Sequence, residues 1–307
     1  MSISAAYSIG TPGVPWGAAE IALWHMQQTP KRSYQDDVVG IIDKLRLQFD
    51  VHEYGSLDED GQRYPLFAIK SRDWNADLPC ALVTGGVHGY ETSGVHGALH
   101  FVELHAASYA GRINLMVAPC ISPWAYERIT RWNAHAVDPN RSFREPSPAL
   151  EAAALMQLIA NLHFLVHIDL HETTDSDESE FRPALAARDG KDYVPGEIPD
   201  GFYLVDDSAD PQPAFQAAII DAVKRVTHIA PADQNGQIIG SDVVAPGVIC
   251  YPLRELGLCG GVSDAPFKST TEVYPDSPRA NPERCNAAQV AAVCAALDFA
   301  LAARVSA

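Results

Sequence analysis

The stretch Thr84-Gly85-Gly86-Val87-His88-Gly89-Tyr90-Glu91 decides how the rest of the chain is interpreted. It follows an apolar run with the pattern of a buried strand, and its glycines allow unusual backbone dihedrals and close approach. His88 and Glu91 are three residues apart and can converge on one point if the turn between them is tight. An imidazole and a carboxylate are typical zinc ligands, and a catalytic site needs one more. The sequence therefore predicts a zinc site after this strand.

Three histidines spaced by four residues, His163, His167 and His171, are the candidates for the third ligand. On a helix all three would share one face. The residues between them are apolar, aromatic and β-branched, which favours a buried strand. His171 then lies at the carboxyl end of that strand, where α/β sheets place their sites. We predict His171 as the ligand and interpret the other two as core or rim residues.

Strand-like and helix-like segments alternate along the chain, which is typical of an α/β fold. Apolar spacing predicts helices over 36–49, 91–109, 148–162, 211–226 and 281–304, and strands over 50–54, 64–70, 79–84, 112–119, 164–170, 247–251 and 270–274. Residues 1–35 are interpreted as a lead-in segment, and no linker or repeat divides the rest. We predict one domain over 1–307, with three α/β/α layers, a mixed and largely parallel sheet, and zinc at its C-terminal edge.

Composition excludes some classes of partner. The formal charge of 22 − 39 = −17 argues against nucleic acid and anionic membrane surfaces, which attract clustered Lys and Arg. The sequence shows neither a signal peptide nor an apolar run of membrane-spanning length, so we expect no membrane partner and a cytoplasmic location, with unconventional secretion left open. The six scattered cysteines favour reduced thiols over a disulfide framework.

Four short motifs occur in a fixed order: His88-Gly89-Tyr90-Glu91, Asp138-Pro139-Asn140-Arg141, Asp169-Leu170-His171 and Glu272. Together they resemble the zinc carboxypeptidases of the M14 (funnelin) family, including its bacterial carboxypeptidase-like members. The resemblance covers roughly 80–275. The succinylglutamate desuccinylase and aspartoacylase branch shares the same zinc core. The resemblance implies one zinc per chain, bound by His88, Glu91 and His171, with a fourth position left for water.

The resemblance also implies three further roles near the metal. Asp138 would accept a hydrogen bond from the far nitrogen of His88 and fix its tautomer. Glu272 would be the general base. An arginine would stabilise the oxyanion, for which Arg131 is the first choice and Arg128 the second.

Substrate-binding roles follow from the same resemblance. Asn140 and Arg141 would bind the free α-carboxylate of a peptide, and Tyr251 would cap the substrate, although a core tyrosine is an equal alternative. Glu255 and Asp264 lie in the segment that lines the specificity pocket in the family. An acid on the pocket floor would favour a basic C-terminal residue, whereas a solvated loop is the simpler interpretation of either acid.

We therefore expect a zinc metallocarboxypeptidase, a hydrolase that acts on the C-terminal peptide bond and that could prefer basic residues there. One alternative is a zinc deacylase of small N-acyl amino acids, which would need a closed pocket rather than an open groove. The other is a zinc-retaining binding protein without turnover, against which Glu272 argues because a pure binder needs no base. The sequence predicts neither the oligomeric state nor whether 172–210 forms a lid.

Overall fold

An eight-stranded sheet forms the centre of the computed structural model, which describes residues 7–305. The strands are β1 (Asp50–Glu59), β2 (Gln62–Lys70), β3 (Cys80–Gly85), β4 (Asn114–Ala118), β5 (Val166–Glu172), β6 (Tyr203–Asp207), β7 (Gln237–Ile238), β8 (Ser241–Asp242), β9 (Val248–Tyr251) and β10 (Phe267–Val273). Strands β7 and β8 form a separate small hairpin, and the other eight follow the order β1-β2-β4-β3-β5-β10-β6-β9.

The centre of the sheet is parallel. Strand β3 pairs in parallel with β4 and β5, and β5 pairs in parallel with β10. The β1–β2 hairpin is antiparallel and adds one edge of the sheet. On the other side, β6 is antiparallel to β10 and parallel to β9. The predicted α/β class with a mixed, largely parallel sheet is confirmed.

Helices cover both faces of the sheet. They are α1 (Ala18–Gln27), α2 (Gly40–Leu45), α3 (Thr92–Leu104), α4 (Pro123–Arg128), α5 (Leu150–Ile159), α6 (Arg182–Arg188), α7 (Pro213–Val223) and α8 (Pro282–Val305). Helices α3, α7 and α8 pack together on one face, whereas α5 lies on the other. Side chains alternate along β3, so Ala81 and Val83 join the first core and Leu82 joins the second. This arrangement gives three layers.

Among the described helices, α8 alone is long and apolar enough to cross a membrane by length and composition, although the sequence was expected to contain no apolar run of that length. Its inward face, including Ala288, Val293 and Leu297, is fully buried. It packs on α3, α7, β5 and β10. This packing accounts for its apolar composition. The Asn281 side chain accepts a hydrogen bond from the Arg284 backbone N–H at 2.8 Å, as expected for an N-cap.

Several elements differ from the sequence predictions. The helix predicted over 36–49 is a π-helical turn (Gln35–Val39) followed by the short α2. Helices α4 and α6 lie outside the five predicted helical ranges. Strand β6 was not predicted, because its five residues are all buried and show no alternation.

Candidate metal and active site

Two neighbouring parallel strands bring the predicted metal ligands together. His88 and Glu91 follow β3, and His171 is the second-last residue of β5. His88 Nδ1 lies 2.7 Å from Glu91 Oε1, and His171 Nδ1 lies 2.7 Å from Glu91 Oε2. All three side chains are buried, and their ligand atoms lie within 4.8 Å of one another. The structure therefore forms the group that the sequence predicts.

Glycines make the tight path between β3 and α3 possible. Gly86 has a φ of +61°, and a Cβ there would lie 2.6 Å from the Val95 side chain. Gly89 has no room for a Cβ, which would lie 2.0 Å from the Ala125 backbone carbon at α4. Any side chain at these two positions would displace the backbone that carries His88 and Glu91.

One buried oxygen in this group has no hydrogen-bond partner within residues 7–305. Glu91 Oε2 is buried and close to His171 Nδ1, but the geometry of a hydrogen bond is not met. A buried carboxylate oxygen without a partner is costly unless a cation satisfies it. Burial would raise the pKa of Glu91, but the charges of His171 and His88 lower it to about 2, so the carboxylate is ionised. Two imidazoles and an ionised carboxylate fit the donor set of a zinc ion.

Carboxylates hold the far nitrogen of each imidazole. His88 Nε2 lies 2.9 Å from Asp138 Oδ1, and His171 Nε2 lies 2.8 Å from Asp169 Oδ2. Both contacts leave Nδ1 directed at Glu91, which is the arrangement expected for metal-binding histidines. Burial opposes ionisation of Asp138, yet the neighbouring Arg131 and His88 hold its pKa well below the usual range. The Asp138 position is the one that the resemblance implies, whereas the role of Asp169 was not predicted.

Asp169 belongs to a second buried group around the Thr84 hydroxyl. This hydroxyl donates to Asp169 Oδ1 at 2.6 Å and lies 3.1 Å from His167 Nε2. The Cys259 thiol donates to it at 3.5 Å. His167, Asp169 and Cys259 lie close enough to form a metal group by distance alone, but each of them already contacts the Thr84 hydroxyl. We interpret this group as a hydrogen-bonded support beneath His171. His163 is instead exposed and pairs with Asp264.

Glu272 lies beside the metal group because β10 pairs with β5. Its Cα is directly opposite that of His171 in the parallel register. The Thr173 hydroxyl donates to Glu272 Oε2 at 2.8 Å and is itself 2.7 Å from the Tyr203 hydroxyl. Burial raises the pKa of Glu272 to about 7, against the opposing effect of His171. A carboxylate with this pKa can both accept and return a proton near neutral pH.

The two arginines considered for the oxyanion have different positions. Arg131 lines the cavity, with Nε 3.1 Å from Asp138 Oδ2 and Nη1 3.0 Å from the Tyr90 hydroxyl. Its Nη2 has no hydrogen-bond partner within residues 7–305 and is available to a ligand. Arg128 is buried away from the cavity and pairs with Asp60 at 2.7 Å.

The predicted substrate-binding residues are only partly brought together. Asn140, Arg141 and Tyr251 line the cavity. The side-chain oxygen Oδ1 of Asn140 accepts a hydrogen bond from Cys259 N at 2.8 Å, and Asn140 Nδ2 lies 3.5 Å from His171 Nε2. Arg141 is exposed to the cavity, and the Tyr251 hydroxyl accepts a hydrogen bond from Ser241 at 3.1 Å. Glu255 is exposed and lies outside the cavity lining, so the structure does not bring it to the site.

The cavity itself has a volume of about 810 Å³. The candidate metal ligands His88 and Glu91 line it together with Glu272. Segments distant in sequence close its sides: the lead-in residues Trp16 and Ile21, and the stretch of Phe181 to Asp189 that includes α6. The 172–210 region therefore contributes a wall of the cavity.

Comparisons with known proteins support the fold. No protein-family model and no curated protein matches the sequence. Among solved structures, a metallopeptidase candidate from Shewanella amazonensis SB2B is 19% identical, with a TM-score of 0.67 over 89% of this chain and 98% of the other. A metallo-carboxypeptidase from Burkholderia cenocepacia is 15% identical, with a TM-score of 0.57 over 93% and 70%. The metallo-carboxypeptidase from Pseudomonas aeruginosa, solved with (2-guanidinoethylmercapto)succinic acid, is 14% identical, with a TM-score of 0.57 over 94% and 70%. The chain has the α/β fold of these metallopeptidase structures.

Proposed function

We propose that this protein is a zinc-dependent metallocarboxypeptidase. The observation that carries the proposal is the convergence of two imidazoles on the buried Glu91 carboxylate, one oxygen of which accepts no hydrogen bond within residues 7–305, next to Glu272 in a shared cavity. The solved structures of the same fold, two of them metallo-carboxypeptidases, support the proposal.

His88, Glu91 and His171 would hold the zinc ion, and Asp138 and Asp169 would keep both imidazoles in the required tautomer. When bound, zinc would supply Lewis acidity, which makes water a nucleophile near neutral pH and polarises a carbonyl group. The three ligands lie at or just after the C-terminal ends of the paired central strands β3 and β5, which limits movement of the site.

Glu272 would transfer the protons in this reaction. Its carboxylate would accept a proton from the attacking water and return it to the leaving amine. Thr173 holds one of its oxygens, and Tyr203 fixes Thr173 in turn, so the base has one preferred orientation. Arg131 Nη2 would donate to the oxyanion, and loss of one such donor typically costs about 3–4 kcal/mol of barrier. Arg141 would bind the C-terminal carboxylate through its planar guanidinium.

A deacylase of N-acyl amino acids is the second candidate, and the size of the cavity supports it. Residues of the lead-in segment and of α6 line a cavity of about 810 Å³, which is within the usual size of small-ligand pockets. The same base, oxyanion donor and carboxylate-binding arginine would serve an N-acyl amino acid. The leaving group would again be an amine with a free carboxylate.

A paired assay tests the proposal. Purified protein is analysed for metal, and release of single amino acids is measured with short peptides and with N-acyl amino acids. We expect about one zinc per chain and C-terminal release, and Glu272→Gln should retain zinc and lose activity. Cleavage of N-acyl amino acids alone would select the deacylase. Zinc that binds without any turnover would indicate a binding protein, and failure to bind zinc after reconstitution would overturn the ligand assignment.

A further inference from the structure

The charges that line the cavity are unequally paired. Its acids all have partners: Glu91 with the imidazoles, Asp138 and Asp177 with Arg131, Glu172 with backbone N–H groups at the start of α3, Asp189 with Arg188, and Glu272 with Thr173. Among residues 7–305, the cavity lining therefore has no free acid, apart from the proposed base, that could bind a cationic substrate side chain.

Two arginines of the same cavity lack such partners. Arg141 donates only to the Asn140 backbone carbonyl, at 2.7 Å, and Arg144 makes no side-chain hydrogen bond within residues 7–305. Neither forms an ion pair with any acid of that described part of the chain. The other cavity arginines are neutralised, for example Arg182 by Glu178. In a chain with a net charge of −17, two unpaired guanidinium groups at one cavity need an explanation.

The loop between them holds both arginines towards the cavity. Ser142 and Phe143 are 1% and 5% exposed, so the loop is anchored between the two arginines. Phe143 N donates to the Gly257 carbonyl at 3.0 Å, and the Ser142 hydroxyl donates to the Asp138 carbonyl at 2.7 Å. Arg141 and Arg144 are exposed on either side of this buried pair and both line the cavity. The anchored loop, and not a contact between the two arginines, therefore sets the positions of Arg141 and Arg144.

We propose that Arg144 determines specificity for a second carboxylate, so that the preferred substrate carries an acidic residue, Asp or Glu, at the cleaved end. The inference rests on the proposed function, because Arg141 is taken to bind the α-carboxylate. One guanidinium suffices for one carboxylate, and the second is then free to pair with a side-chain carboxylate. This preference is opposite to the basic one that the sequence left open. Glu255 and Asp264, the two acids considered for a basic preference, do not line the cavity.

Two sources supply this chemistry: a peptide that ends in Asp or Glu, and an N-acyl derivative of the free acidic amino acid. The test therefore uses N-acylated dipeptides that end in Glu, Gln, Leu or Lys, together with N-acetylglutamate and N-acetylglutamine. Glu and Gln have the same shape and differ in charge. We expect the zinc-loaded protein to favour Glu over Gln by about tenfold or more in kcat/KM, the usual effect of a charge-assisted hydrogen bond. The favoured series, dipeptide or N-acetyl, identifies the source.

Variants assign the preference to one residue. Arg144→Gln should reduce the preference for Glu over Gln to about threefold or less by selectively lowering turnover of Glu. Arg141→Gln should lower turnover of both substrates. Arg225→Gln, an exposed arginine just after α7 and outside the cavity lining, removes the same charge and should change nothing. Equal turnover of Glu and Gln, a preference for Lys, or an equal loss on both substrates in Arg144→Gln would overturn the proposal.

A binding measurement separates this inference from the proposed function. If no substrate is turned over, the hydrolase proposal fails, but the cavity can still be tested by calorimetry on the zinc-loaded protein. Tighter binding of the Glu dipeptide than of the Gln dipeptide, lost in Arg144→Gln, would support the second carboxylate site. Equal binding of the two would overturn it.

Discussion

Replacement of Asp138 by asparagine tests the electrostatics of the metal site most directly. The Asp138 carboxylate contacts His88 Nε2 at 2.9 Å, Arg131 Nε at 3.1 Å and Asn140 N at 2.9 Å. Asparagine keeps the volume and one acceptor oxygen but removes the negative charge. Its amide N–H₂ would also face the Arg131 guanidinium, so two donors would oppose each other.

The expected effect is a loss of zinc affinity of about 10–100-fold, which is typical when the carboxylate behind a metal-binding histidine is altered. This range corresponds to roughly 1.4–2.8 kcal/mol of binding free energy. The effect should be near the upper end, because Asp138 is 8% exposed and solvent cannot replace the lost charge.

The assay is a competition titration of the metal-free protein with zinc and a chromophoric chelator, with circular dichroism and the melting temperature as checks of folding. Asp264→Asn is the matched control, since Asp264 also contacts a histidine, His163, but on the surface away from the cavity. We expect Asp264→Asn to bind zinc like the wild type. A folded Asp138→Asn protein with wild-type zinc affinity would refute the orienting role of Asp138.

Three further predictions concern stability and the base. Glu151 is 2% exposed with an unpartnered Oε1, and burial raises its pKa from 4.5 to about 7. Because the pKa of Glu151 is higher in the folded than in the unfolded state, the chain is most stable where Glu151 is protonated in both states, below pH 4.5. The free energy of unfolding then falls as the pH rises through 7 and the buried carboxylate ionises. The free energy of unfolding of Glu151→Gln minus that of the wild type, measured in urea, should therefore be about 2–3 kcal/mol larger at pH 8 than at pH 5. The same difference at both pH values would contradict this. Thr173→Val should lower kcat about tenfold with KM unchanged, and Thr173→Ser should restore it; a change in KM alone would argue against a role in orienting the base. Gly89→Ala should lower the free energy of unfolding by roughly 2–4 kcal/mol, because its Cβ would meet the Ala125 backbone. Gly40→Ala, in α2, is the control and should be neutral or stabilising. Similar unfolding midpoints for the two variants would contradict the close packing at Gly89.

Much of the fold could be predicted from local patterns. The strands that became β3 and β5 are apolar and β-branched, because both faces of the sheet are covered by helices. Strand β6 and helix α6 could not be predicted in the same way. The five residues of β6 are all buried, and the seven-residue α6 has one buried residue, Ala184, so neither shows a period in the sequence.

The site was predictable to the extent that its residues lie in short motifs. His88, Glu91, Asp138 and His171 are close in space because the motifs follow adjacent strands. The supporting hydroxyls of Thr84 and Thr173 were missed, since their partners are distant in sequence and a threonine on a strand has no pattern of its own. The pairing of charges could not be predicted either. Only the structure shows that Arg128 pairs with Asp60, whereas the Arg144 side chain has no partner within residues 7–305.

The choice among the three histidines shows what kind of sequence information located the site. As a helix, residues 163–171 would have offered all three imidazoles to one metal. In the structure, β5 begins at Val166, so His163 lies before the strand, and His167 and His171 lie on the same face of it. His167 contacts the supporting Thr84 hydroxyl, and His171 faces Glu91. Asp169 lies between them on that face and contacts both His171 and the hydroxyl that holds His167. The alternation of the strand therefore sets both the ligand and the carboxylate behind it, and a helical interpretation of the same residues would have assigned three ligands and no support.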